Sequence, residues 1–278
     1  MTDPRTAADP QKPRVALMGE FSAGKSTLAN LLLGLDSSPV QVTATQLPPV
    51  WYQLGAPRAE RIGTDDQATP LPSDDWSGVT PEDTSMISAW READVLHACD
   101  LIDLPGTSDP NMAPDFWQAF LPKVDLAIWC TPANQAWRQS EAALWEQVPP
   151  VLWTKSLLLI TRMDKMQTER DRARVLARVR AEAGGLFREV LPISLTQALA
   201  GRDNEDVLEA TGAAALVRFL CNALEGLEQA CPPPAKPGPQ VAAPQPISES
   251  QPARANRIVP RRITRSKSPR ARPEHRPA

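Results

Sequence analysis

The apolar run Val15-Ala16-Leu17-Met18 delivers the chain to Gly19-Glu20-Phe21-Ser22-Ala23-Gly24-Lys25-Ser26, and Leu28, Leu31 and Leu32 then recur at helical spacing before Gly34. No other stretch restricts the fold as strongly. An apolar run of four ending at a glycine predicts a buried strand, and the leucine spacing predicts a helix over Ser26–Leu33 that Gly34 can stop. A glycine-rich turn between the two points backbone N–H groups at a common centre, where the positive end of the helix favours an anion. Gly19 and Gly24 allow the close backbone approach that a Cβ would obstruct. The eight residues Gly19, Glu20, Phe21, Ser22, Ala23, Gly24, Lys25 and Ser26, with Thr27 next, read as a cradle for phosphates. Lys25 can reach the β- and γ-phosphates, and the Ser26 hydroxyl is the expected Mg2+ ligand.

Further apolar runs predict strands at Val50–Leu54, Leu101–Leu104, Leu126–Cys130, Leu157–Ile160 and Glu189–Ile193. Helical patterns fall at Glu82–Arg91, Asp115–Leu121, Ser140–Gln147 and Gln167–Glu182, and over Asn204–Glu228 with an interruption at Gly212. Residues 55–80 read as a loop-like insertion with one strand at Ala59–Ile62. Apolar strands alternating with helices imply a three-layer α/β fold, a mainly parallel sheet with helices on both faces.

The strand ends carry the remaining candidate site residues. Asp103-Leu104-Pro105-Gly106 follows a buried strand; the Asp103 carboxylate can hold Mg2+ and the Gly106 N–H can meet a γ-phosphate. Thr161-Arg162-Met163-Asp164 follows another. The Asp164 carboxylate can accept from N1–H and the 2-amino group of guanine, a donor pair that adenine lacks, so it selects GTP or GDP; as a helix-start residue it also reads as an ordinary cap. Pro192-Ile193-Ser194 ends the last strand, where a backbone N–H near Ser194 can reach guanine O6 or simply begin a helix. A threonine that closes over Mg2+ belongs between the first helix and Asp103, where Thr43 and Thr45 both qualify.

Composition separates a body from a tail. Proline makes up 30 of 278 residues, about double the usual share, and twelve prolines lie beyond Cys231. From Pro232 onward ten basic and two acidic residues give +8, leaving −11 on the rest of a chain whose net charge is −3. Residues 1–13 and 232–278 therefore read as disordered segments flanking a domain at 14–231. The tail lacks aromatic residues for base stacking. Its arginines suit an anionic membrane, an acidic protein, or the protein's own acidic body. Cys99, Cys130, Cys221 and Cys231 form no close pair, and with His97 and His275 they match no zinc spacing, so they read as buried reduced thiols. No run approaches the ~20 apolar residues of a membrane-spanning helix, and the start lacks a secretory signal. The expected location is the cytoplasm, with peripheral attachment to the inner face of the membrane left open.

Gly19 through Gly34, together with Thr45-Gln46-Leu47-Pro48, Leu101 through Thr107, and Gln135-Ala136-Trp137 followed by Glu141, resembles the motifs of bacterial dynamin-like GTPases over about residues 14–225. The resemblance implies Mg-dependent hydrolysis of GTP to GDP and phosphate, with Ser22, Lys25, Thr45 and Gly106 in catalytic positions and Ser26, Thr45 and Asp103 around the metal. It implies that Ser22 helps organise the attacking water and a monovalent cation, and that two GTPase domains pair as a homodimer or heterodimer. Three features differ from the pattern: Phe21 stands where dynamins often carry glutamine, Arg162 stands where lysine is usual, and about 35 residues between Ser194 and the tail leave no room for a long stalk. Two functions follow as expectations. One is a dynamin-like assembly or membrane-associated switch. The other is a slow regulatory GTPase that recruits a partner, with the tail as tether.

Overall fold

The computed structural model describes residues 12–35, 47–73, 75–108 and 115–230, the side chains of 228–230 excepted. All lie within one compact unit, Met1–Ala235. The flanking segments 1–11 and 231–278, Cys231, and both candidate switch threonines, Thr43 and Thr45, fall outside the described residues.

Nine strands form one sheet: β1 (Arg14–Gly19), β2 (Val50–Leu54), β3 (Arg58–Gly63), β4 (Ala68–Leu71), β5 (Thr84–Arg91), β6 (Asp100–Asp103), β7 (Leu126–Pro132), β8 (Leu157–Thr161) and β9 (Glu189–Pro192). Their order is β4-β3-β5-β2-β6-β1-β7-β8-β9. The run from β6 through β9 is parallel, as is β2 with β5. The β2–β6, β3–β4 and β3–β5 pairs are antiparallel. The helices are α1 (Lys25–Leu33), α2 (Val95–Ala98), α3 (Gln139–Trp145), α4 (Pro150–Trp153), α5 (Glu169–Ala183), α6 (Leu195–Ala200), α7 (Glu205–Thr211) and α8 (Ala213–Ala230).

Successive strand residues point to opposite faces, and here both faces are covered. Val15 and Leu17 pack with Leu28, Leu101, Ile128, Leu159 and the apolar side of α8, whereas Ala16 and Met18 pack with Trp51, Ile102, Trp129, Leu158 and Val179 of α5. That two-sided burial is why the central strands read as unbroken apolar runs rather than alternating ones. Thr168 caps α5 by accepting the Asp171 N–H at 3.1 Å. At φ +86, Gly212 separates α7 from α8, and a Cβ there would lie 2.3 Å from the Pro192 carbonyl oxygen. No single helix among the described residues is long and apolar enough to cross a membrane; α7 and α8 pass such a test only as a pair bent by 83°.

Four expectations change. Glu82–Arg91 is not helical: Thr84–Arg91 is β5, an inner strand between β2 and β3. Ile87 and Ala89 bury on one face of the sheet and Met86 on the other, while the buried polar residues Thr84, Ser88 and Arg91 break the apolar run that marks the other inner strands. Residues 55–80 hold the hairpin β3–β4, not a single strand; the exposed β4 has no apolar alternation to read. The helix expected at Asp115–Leu121 is a pair of 3-10 turns, Phe116–Ala119 and Leu121–Lys123, with Pro122 in the second. Cys99 and Cys130 are buried free thiols, each pushed up to about 12 by burial, but Cys221 is exposed on α8.

Candidate nucleotide site

The site stands at the carboxyl ends of β1 and β6, the usual place for a ligand in a parallel sheet. The β1–β6 register sets Leu17 beside Asp103 and the β1–β7 register sets Gly19 beside Cys130. Gly19 has φ +134, and a Cβ there would sit 2.3 Å from the Cys130 carbonyl oxygen. Glycine is therefore required where the chain leaves the sheet to begin the loop. Gly24 (φ +98) immediately precedes α1 and packs beneath Leu195.

Around this turn lies a cavity of about 250 Å³, walled by residues 21–27, Leu47, Pro48, Val50, Tyr52, Asp103–Gly106 and Arg162. Lys25 is 7% exposed, and its ammonium donates to the carbonyl oxygens of Gly19 (3.1 Å) and Glu20 (2.9 Å). Asp103 sits beside it. Burial pushes the Asp103 carboxyl up to about 6, against the opposing pull of the Lys25 charge and a hydrogen bond from the Ser26 side chain. Among the described residues its Oδ1 is buried with no hydrogen-bond partner. A carboxylate oxygen left bare beside a serine hydroxyl and a lysine is a donor set suited to a hard divalent cation that also binds phosphate oxygens.

Two strand-end segments brace the loop. The Thr161 hydroxyl donates to the Ala23 carbonyl at 2.7 Å, so Thr161 lies behind the loop. Arg162 (φ +58) reaches across the front and donates to the Ser22 carbonyl at 2.5 Å; Ser22 itself is left-handed, at φ +57. Gly106 rests directly on the loop, since a Cβ there would meet Phe21 N and Cα at 2.7 Å. The Phe21 N–H donates to the Ser108 hydroxyl at 3.1 Å, leaving the Phe21 ring 44% exposed at the rim.

Asp164 lies in the single 3-10 turn Met163–Lys165, its Oδ2 3.6 Å from the Lys165 ammonium. The Met163 N–H donates to the Ile193 carbonyl at 3.2 Å, which brings the Asp164 turn beside Ser194. The Ser194 N–H donates to the Thr211 carbonyl at 2.9 Å. Thr161, Asp164 and Ser194 stand outside the cavity wall just described. Sequence reasoning missed Tyr52, the chain's single tyrosine, whose buried phenol beside Asp103 is held well above its ordinary pKa by burial first and by the Asp103 charge second. It also missed the side-chain partners of Glu20. Neither has a local signal, because both depend on strands paired across the sheet.

No family model matches the chain. A relative in Campylobacter jejuni, dynamin-like protein 2, is 22% identical over 212 residues, covering 74% of this chain and 34% of that protein. A solved structure of an oligomerised bacterial dynamin pair, described as a mechanism for the long-range sensing and tethering of membranes, superposes with a TM-score of 0.57 at 20% identity, over 79% of this chain and 36% of the other. The chain shares its α/β fold with this bacterial dynamin over the superposed residues. The chain spans about a third of the length of these relatives. Among its described residues no helical stalk follows; α8 is the last element.

Proposed function

We propose that the protein binds GTP together with Mg2+ and hydrolyses it to GDP and phosphate, acting as a dynamin-like assembly or membrane-associated switch. The observation that carries this reading is the Asp103 Oδ1, unpartnered among the described residues, beside Ser26 and Lys25 in a cavity walled by the glycine-rich loop. The loop amides of residues 20–27 and the Lys25 ammonium hold the phosphate chain. Ser26, Asp103 and Thr45 would hold Mg2+, which when bound supplies positive charge to the β- and γ-phosphate oxygens. Gly106 offers its N–H to the γ-phosphate. Asp164 reads guanine, and an amide beside Ser194, whose own N–H is taken by Thr211, reaches the base oxygen. The stem of Arg162 borders the same cavity.

A monovalent cation fits less well. The Ser22 carbonyl is already bonded by the Arg162 guanidinium, so a positive charge stands at the loop without one, and no step is assigned to such an ion.

The test is phosphate release by the full chain with magnesium, GTP against ATP. Release from GTP that Lys25→Ala abolishes supports the assignment; equal turnover of ATP removes guanine recognition from Asp164.

A second reading has its own observation. Among the described residues lining the cavity there is no histidine, glutamine or glutamate to orient a water. In this reading the protein is a slow regulatory GTPase that recruits a partner and needs an external activator; pairing of two GTPase domains, as homodimer or heterodimer, belongs to the first reading. Turnover per molecule that rises with protein concentration supports pairing; constant slow turnover supports the external activator. The basic tail, 232–278, is proposed to attach this head to an anionic membrane at the cytoplasmic face or to an acidic protein. Co-sedimentation with anionic vesicles that is unchanged by removing 232–278 would rule out its attachment to membranes.

A further inference from the structure

Glu20 belongs to the phosphate loop but not to the cavity wall. Its side chain turns toward α3, 120 residues away, where Oε1 accepts the Ser140 hydroxyl at 2.9 Å and Oε2 pairs with the Arg138 guanidinium. Glu20 is only 8% exposed. Its carbonyl oxygen accepts from Lys25 Nζ at 2.9 Å and from the Ala23 N–H at 3.2 Å. The Glu20–Phe21 peptide is also the surface on which Gly106 rests. One peptide thus touches the phosphate-binding lysine and the γ-phosphate turn, while the side chain of its first residue is held from outside.

What holds it is itself anchored. Glu141 is fully buried. Its Oε2 accepts the Arg138 N–H and the Thr131 hydroxyl, both at 2.9 Å, and its Oε1 accepts the Trp129 indole N–H at 3.1 Å. Between them Trp137 is left-handed at φ +57, with its N–H on the Thr131 hydroxyl at 2.9 Å and its ring edge-on to Phe187. A bulky residue persists in that conformation only where its surroundings over-determine it. Capping of α3 explains the Glu141–Arg138 backbone bond. It does not explain why the side chains of Arg138 and Ser140 both converge on a carboxylate in the phosphate loop.

We propose that Arg138 and Ser140 are positioning residues for the phosphate loop, set by the buried Glu141 and acting through Glu20. They hold the Glu20–Phe21 peptide in its binding arrangement before nucleotide arrives, so that binding does not have to order it. The inference rests on the reading of the cavity as a nucleotide site. The Arg138 side chain is 43% exposed and that of Glu20 10%; water reaches the guanidinium, and the Ser140 hydroxyl still bonds the Glu20 carboxylate when Arg138 is shortened, so the main effect falls on the ligand.

The experiment titrates full-length protein with a fluorescent GTP analogue and magnesium, alongside thermal unfolding without nucleotide, for wild type, Arg138→Ala, Arg138→Lys, Ser140→Ala, Glu20→Gln and the Glu20→Gln/Arg138→Ala double variant. Arg138→Ala is expected to weaken binding roughly 3- to 30-fold, the range for residues that act through a neighbour. The melting temperature should stay close to wild type, with part of the affinity recovered in Arg138→Lys. The double variant should bind no more weakly than its worse single parent, because both changes break one linkage. Unchanged affinity in Arg138→Ala, multiplicative losses in the double variant, or a melting temperature that falls in step with affinity would each overturn the proposal. Wild type that binds no analogue sinks the nucleotide-site reading itself, and the inference with it.

Discussion

Gly106 lies flat against Phe21, so close that a Cβ on Gly106 would stand 2.7 Å from the Phe21 nitrogen and α-carbon. The two residues belong to loops that leave different strands, yet their backbones touch. Gly106→Ala therefore meets main chain, which has no rotamer to change. It should cost about 1–3 kcal/mol of stability, the usual penalty for overpacking, and lower the turnover of GTP at saturating substrate. Thermal unfolding and steady-state kinetics check both parts.

Lys25 bridges the carbonyls of Gly19 and Glu20 at 3.1 and 2.9 Å. Lys25→Ala should lose GTP affinity by roughly 10- to 100-fold, the scale of a charge-assisted hydrogen bond with its desolvated partners. Circular dichroism should show an unchanged fold.

Asp103 gives a pH dependence of definite sign. Its carboxyl is raised to about 6 by burial, above the ordinary carboxylate range, so the nucleotide-free fold holds this proton more tightly than the unfolded chain does. The group therefore costs stability increasingly as pH rises from about 4 to 6, and in full above that. Asp103→Asn should raise the melting temperature of the nucleotide-free protein at pH 7.5, by up to roughly 3 kcal/mol of stability, and the gain should vanish near pH 4. The same variant should lose magnesium-dependent GTP binding. In wild type that binding should weaken below about pH 6, with proton release measurable by calorimetry in buffers of different ionisation enthalpy.

Thr161 supports the loop from behind through its 2.7 Å bond to the Ala23 carbonyl. Thr161→Val keeps the shape and removes the donor. The unsatisfied buried carbonyl should cost about 1–3 kcal/mol, read by denaturant unfolding, with a smaller loss of GTP affinity.

Asp164→Ala removes the carboxylate that would accept two donors from guanine. GTP should bind roughly 10- to 100-fold more weakly, with weak ATP binding unchanged, so discrimination between the two nucleotides should collapse. Competition of each against a fluorescent GTP analogue measures this directly.

Legibility followed the range of the interactions. The β1–loop–α1 unit could be read because its signals are local: a four-residue apolar run, glycines where the backbone must turn or approach another chain segment, and leucines at helical spacing. β7 and β8 were plain because both their faces are buried. β5 lacks a legible strand signal because the buried Thr84, Ser88 and Arg91 interrupt its apolar residues, although it is inserted between β2 and β3. The β3–β4 hairpin is only half legible because β4 is exposed except at Leu71, and one half-buried residue leaves no alternation.

The site divides in the same way. By itself the sequence determined the strand–turn–helix unit that holds Lys25 and Ser26 and the order of the strand-end motifs after it, since those depend on residue type and on neighbours a few positions away. The tertiary structure alone decided that Gly106 presses on Phe21, that Arg162 bonds Ser22, that Tyr52 borders Asp103, and that Glu20 turns its carboxylate from the cavity to Arg138 and Ser140. Each of these contacts joins segments tens of residues or more apart. Tyr52 meets Asp103 through the antiparallel β2–β6 pair; the others exist because parallel pairing brings the carboxyl ends of separate strands to one edge, and no local pattern encodes either placement.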